Sequence, residues 1–93
     1  MGERQIDMLS EVKNKIRKFI VDNFLFGDES ISLKDDVSFL ETGTVDSTGM
    51  LELIAFVENE FKIPIGNDEL NPENLDSINN IASFIYRKKG GNV

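Results

Sequence analysis

Gly43-Thr44-Val45-Asp46-Ser47-Thr48-Gly49-Met50-Leu51-Glu52-Leu53-Ile54, residues 43 to 54, decides how the chain is read. A glycine turn runs into Asp46, and aspartate is among the best helix N-caps because its carboxylate accepts an orphan backbone N–H. Met50, Leu53, Ile54, Val57 and Phe61 then recur at three- and four-residue spacing, which at about 100° per residue gathers them on one side. The spacing predicts a helix over residues 47 to 61 with Asp46 as its cap. Thr48, Glu52, Ala55 and Asn59 fall opposite the apolar stripe, with Leu51 and Glu58 on its shoulder. Ser47 opens the helix, so its hydroxyl adjoins an exposed acidic face.

Working outward, Leu9, Val12, Ile16, Phe19, Ile20 and Phe24 carry the same helical period, with Glu11, Lys13, Lys15, Arg17 and Lys18 between them. That predicts an amphipathic helix from near Ile6 to just before Gly27-Asp28. The 20 residues from 27 to 46 have no strong helical period, which is long for a structureless connection, so side chains must pin it to the bundle. Ile31, Leu33, Val37, Phe39 and Leu40 are the candidates; a short strand over residues 30 to 33 is the alternative. On the C-terminal side, Pro64 stops the second helix. Asn71-Pro72 reads as a cap followed by proline at the first helical position, giving one turn through Leu75. Asp76 or Ser77 then caps a last helix with Ile78, Ile81, Ala82 and Ile85 inward. Arg87, Lys88 and Lys89 meet its C-terminal dipole before Gly90-Gly91. The expected fold is all-α: a small four-helix bundle of three longer helices and one short one, with a long first loop. It forms a single domain over residues 1–93 with its ordered core at about 6–89.

Composition narrows the function. At 93 residues, 40% of them hydrophobic, the chain supports one core. It has no cysteine and no histidine, so thiol chemistry must be imported and the commonest general base near neutral pH is absent. A non-catalytic protein is expected. The apolar runs are too short for a membrane span and no signal-peptide pattern opens the chain, which points to a cytoplasmic protein. Met1-Gly2 would fit myristoylation only with Ser or Thr at position six, where Ile6 stands. The net charge is −7, and residues 25 to 86 alone hold 13 acids and 2 bases. Such a surface repels nucleic acid and favours protein partners with basic docking surfaces.

The stretch Leu40-Glu41-Thr42-Gly43-Thr44-Val45-Asp46-Ser47, with Leu51-Glu52-Leu53-Ile54 and Phe61 after it, resembles the modification site of the acyl and peptidyl carrier proteins. The likeness extends over nearly the whole chain, through the Pro64 break and Asn71-Pro72-Glu73-Asn74-Leu75-Asp76-Ser77-Ile78. The resemblance implies that Ser47 bears a covalent 4'-phosphopantetheine arm. A separate phosphopantetheinyl transferase would install it from coenzyme A with a divalent metal. Asp46 would cap the helix or position the metal or the transferase. The chain would be a discrete, monomeric carrier. It would shuttle acyl or aminoacyl thioesters from a loading ligase to a downstream transferase or synthase. By the same resemblance, Thr48, Leu51, Glu52, Ala55 and Glu58 form the partner face, although Leu51 could equally pack against the loop. Physical chemistry agrees at one point: a phosphodiester at a helix N-terminus is favoured by about 0.3–1 kcal/mol.

Thr48-Gly49 departs from the family, which usually has a bulky apolar residue directly after the serine. Glycine costs about 1 kcal/mol relative to alanine within a helix, so a softer first turn is expected. Thr42-Gly43-x-x-Asp46-Ser47 and Leu51-Glu52-Leu53 look closer to carriers served by ATP-dependent ligases than to those of primary fatty acid synthesis. The main alternative is an unmodified acidic helical adaptor, which would share the core and the acidic face but need no hydroxyl at the helix start. A calcium-binding helix-loop-helix around Asp28, Ser30, Asp35 and Asp36 lacks the required Asp-x-Asp-x-Asp-Gly spacing. No resident metal site is expected.

Overall fold

The computed structural model describes residues 8–28 and 33–90. Among the described residues five α-helices follow in order: α1 (Met8–Phe24), α2 (Phe39–Thr42), α3 (Ser47–Phe61), α4 (Pro72–Leu75) and α5 (Ile78–Lys88). A 3₁₀ turn at Asn67–Glu69 precedes α4. The three long helices and the short α4 match the periodicity, and no strand occurs among the described residues. The expected start of α1 near Ile6, the pinning by Ile31 and most of the alternative strand lie outside the described residues.

α1 packs against both α3 and α5. It runs antiparallel to α3: the ring of Phe24 borders Gly49, Phe19 stacks on Phe56, and Lys15 bonds Glu60 at 2.8 Å. Ile16 and Ile20 from α1, Leu53 and Val57 from α3, and Ile78, Ile81, Ala82 and Ile85 from α5 are fully buried together. Phe84, absent from the stripe read in the sequence, is buried as well. Within α3 the buried set is Gly49, Leu53, Val57 and Phe61. Met50 and Ile54 are only partly covered, so the inward face is rotated toward Gly49 from the one that spacing suggests.

The long connection contains an unexpected helical turn, α2. Ser38 caps it by accepting the Glu41 N–H at 3.1 Å, and Gly43, at φ 75°, ends it in the left-handed region that glycine enters without steric cost. Four residues give too little sequence for a period to show. The connection is pinned by buried Leu33, Phe39 and Val45, with Val37 half-buried and Leu40 exposed at its outer edge. Polar contacts add to this. The Asp35 carboxylate accepts from Arg17, which also donates to the Leu33 carbonyl, and Lys13 approaches Asp35 at 3.6 Å. The Asp35 carbonyl accepts the Asn79 N–H at 2.9 Å. Asp76 accepts from the Ser38 hydroxyl and, at 3.0 Å, from the Leu40 N–H, while its carbonyl takes the Phe39 N–H at 2.8 Å. Asp76 thus ties α2 to the α4–α5 junction and leaves capping of α5 to Ser77, which accepts the Asn80 N–H at 3.0 Å. Asn71 caps α4, with Pro72 at its first position.

Candidate functional site

Val45 is fully buried immediately before the cap of α3, the place from which a hydrophobic staple fixes the entry of a chain into a helix. Asp46 follows in extended conformation. Its Oδ1 accepts the Gly49 N–H at 2.7 Å and its carbonyl accepts the Met50 N–H at 2.8 Å. Ser47 is therefore the first helical residue, and it is exposed. The N–H groups of Ser47 and Thr48 open α3 with no acceptor inside the helix, so they lend positive character to the surroundings of the Ser47 hydroxyl.

Gly49 belongs to this site through packing. A Cβ on Gly49 would stand 2.6 Å from Phe24 Cε1 and 3.2 Å from Asp46 Oδ1. The absence of a side chain lets the Phe24 ring close on the first turn of α3. The departure at Gly49, read in the sequence as a softening, is in the structure a tight helix contact beside Ser47.

Among the residues expected on a partner face, Thr48, Glu52 and Ala55 are exposed, and Leu51 is 66% exposed rather than folded against the loop. Glu58 differs: it is half-buried, and its Oε2 accepts the Ile65 N–H at 3.0 Å, holding the segment after α3. On one flank of Ser47 lies a groove of about 200 Å³ lined by Leu40, Met50, Ile54, Leu70 and Leu75. The rotated stripe explains it, since the partly covered Met50 and Ile54 form its floor. On the α1 side, Phe56 stacks on Phe19 at 4.2 Å, and Phe24 and Phe61 meet this pair edge-on.

The perturbed titratable groups are occupied in structural contacts. The Arg17 hydrogen bond holds the Asp35 carboxyl below its usual range. Glu60 is lowered by its hydrogen bond from Lys15, and Glu69 by the Gly66 N–H and then by Lys88. No cluster of acidic side chains arranged to hold a metal occurs among the described residues, and none of their helices is long and apolar enough to cross a membrane. Ser47 is thus a displayed hydroxyl at the capped start of α3. Such a hydroxyl can accept a group from another protein and is a weak nucleophile by itself.

Sequence reasoning missed Gly49 with Phe24, Phe56, Val45 and Leu70. Only Val45 carried a local signal, as the apolar residue preceding a cap. The others depend on which helices meet.

The chain is 32% identical over 81 residues to the acyl carrier protein of Chloroherpeton thalassium, covering 87% of this chain and 96% of that one. It is 31% identical over 80 residues to the acyl carrier protein of Lactobacillus acidophilus, covering 86% and 95%. To the D-alanyl carrier protein of Streptococcus uberis it is 34% identical over 72 residues, covering 75% and 90%. No family model matches the chain. With relatives at this identity over nearly their whole length, the chain belongs to the acyl carrier protein family.

Proposed function

We propose that this protein carries a 4'-phosphopantetheine arm on Ser47 and transports an acyl or aminoacyl group as a thioester between enzymes. The observation that carries the reading is the exposed Ser47 hydroxyl at the first position of a helix whose cap, Asp46, is already engaged with Gly49. The residues fit the group. The hydroxyl is accessible, the Ser47 and Thr48 N–H groups favour a phosphodiester beside them, and the groove next to Ser47 offers apolar cover to what the arm bears. The arm supplies the thiol that a cysteine-free chain lacks.

Installation forms a bond between Ser47 Oγ and the phosphorus that bears the pantetheine of coenzyme A. The pyrophosphate P–O bond breaks, adenosine 3',5'-bisphosphate leaves, and the hydroxyl proton passes to a base on the transferase. This chain's part is to hold the hydroxyl outward, with Asp46 keeping the first turn formed. Relatives named for acyl and for D-alanyl carriage both support the broad cargo class. Incubation with coenzyme A, magnesium and a broad-specificity phosphopantetheinyl transferase is expected to add one phosphopantetheinyl unit by mass spectrometry. Ser47→Ala should take up none. Equal labelling of the alanine variant would place the arm elsewhere, and an unlabelled wild type would leave the adaptor reading.

A further inference from the structure

Phe26 is 98% exposed, the most exposed large apolar side chain among the described residues. A single exposed apolar residue is ordinary on protein surfaces. Two further observations set this one apart. Its φ is 57°, a backbone region that is unusual for a bulky side chain. The turn is fixed there by the Gly27 N–H bonding the Val21 carbonyl at 2.8 Å and the Asp28 N–H bonding the Leu25 carbonyl at 2.9 Å. The fold therefore holds an unfavourable backbone conformation with the ring in solvent. Phe26 also stands at the Ser47 end of the molecule. The Phe24 ring lies against Gly49, two residues beyond Ser47, and the chain leaves α1 directly after it.

We propose that Phe26 anchors the phosphopantetheinyl transferase, entering an apolar pocket with a basic rim on that enzyme while Ser47 is modified. The proposal rests on the reading of Ser47 given above. Reach selects the partner. The transferase must bring phosphorus to bonding distance of Ser47 Oγ and so must cover the surface at this end, whereas enzymes acting on the thioester are separated from Ser47 by the arm. Charge selects against other occupants: a second copy brings the same net charge of −7, and an anionic lipid surface is repelled likewise. An aromatic ring seated in a desolvated pocket is a common strong anchor of protein interfaces.

Phe26→Asn removes the ring while suiting the left-handed backbone, so its melting temperature should equal or exceed that of the wild type. With coenzyme A, magnesium and a transferase that modifies the wild-type chain, its KM as carrier should rise by roughly ten-fold or more, with kcat within about two-fold. Phe26→Trp should retain the wild-type KM. An unchanged KM in the folded asparagine variant overturns the proposal and leaves the Ser47 reading standing. Failure of the wild type to accept an arm from any such transferase overturns that reading and this proposal with it. A wild-type dimer in sedimentation that Phe26→Asn dissociates would assign the ring to a second copy and reject the transferase. A clear fall in melting temperature would show the ring covered in the isolated protein and reject it too.

Discussion

Gly49 shows how one missing side chain shapes the start of α3 beside Ser47. Alanine in place of an exposed mid-helix glycine ordinarily stabilises by about 1 kcal/mol. Here the new Cβ would meet the Phe24 ring at 2.6 Å, and overpacking of that kind costs about 1–3 kcal/mol. The clash should win, so Gly49→Ala is expected to lower stability by about 1 kcal/mol in denaturant melts. Combining it with Phe24→Leu tests the cause, because the glycine replacement should become neutral or stabilising once the ring is gone. An unchanged penalty in the Phe24→Leu background would trace the effect to the Asp46 cap, 3.2 Å from the same position. Asp46 as the cap and Ser47 as the first helical residue were legible in the sequence because capping is local chemistry, written in neighbouring residues. Gly49 was not, since its reason is a ring that lies 25 positions away in the chain.

The helices follow the same division between local and distant causes. The long ones could be read because each repeats its apolar spacing over several turns, and Pro64, Asn71-Pro72 and Ser77 mark where chains stop and start. The phase of α3 could not be fixed to better than one neighbouring position, since Met50 and Ile54 are apolar although they border a groove. Phe61 faces inward on either phase and tests the side as a whole: it is nearly fully buried, and Phe61→Ala is expected to cost about 3–5 kcal/mol in denaturant melts. A loss under about 1 kcal/mol would mean the helix turns another face inward. The long connection was legible only in its apolar anchors. Its ionic anchor, Asp35, predicts a pH dependence. Asp35 is held below its ordinary value of 3.8 by Arg17, so its folded state binds fewer protons than the unfolded one. The resulting stabilisation is present above about pH 3.8 and is lost as pH falls through the lower folded value. Asp35→Asn should therefore be less stable than wild type at neutral pH by up to about 1 kcal/mol, the ion pair being partly exposed. The difference should close on acidification below pH 3.8, and a constant gap across that range would assign the effect to packing.

At the scale of the whole molecule, charge and exposed apolar area meet around the start of α3. Leu51 and Ala55 are exposed next to Glu52, while residues 25 to 86 carry a large excess of acids. Exposed charges of this kind act chiefly on encounter, over a screening length of about 8 Å at physiological salt, and contribute little to the lifetime of a complex. On the carrier reading we propose Thr48, Leu51, Glu52 and Ala55 as the partner face, and treat Glu58 as a residue that serves the fold first. The two glutamates should separate when each is reversed. Glu52→Lys is expected to leave the melting curve unchanged, slow association with a basic loading ligase several-fold, and flatten its salt dependence, with the off-rate nearly constant. Glu58→Lys removes the acceptor of the Ile65 N–H, so it should lower stability by roughly 1 kcal/mol in addition to any effect on association. Stopped-flow binding at several salt concentrations, run beside denaturant melts, measures both. If Glu52→Lys associates at the wild-type rate with an unchanged salt slope, the acidic side of α3 is not where partners arrive. A fall in stability for Glu52→Lys equal to that of Glu58→Lys would reject the division of roles between them.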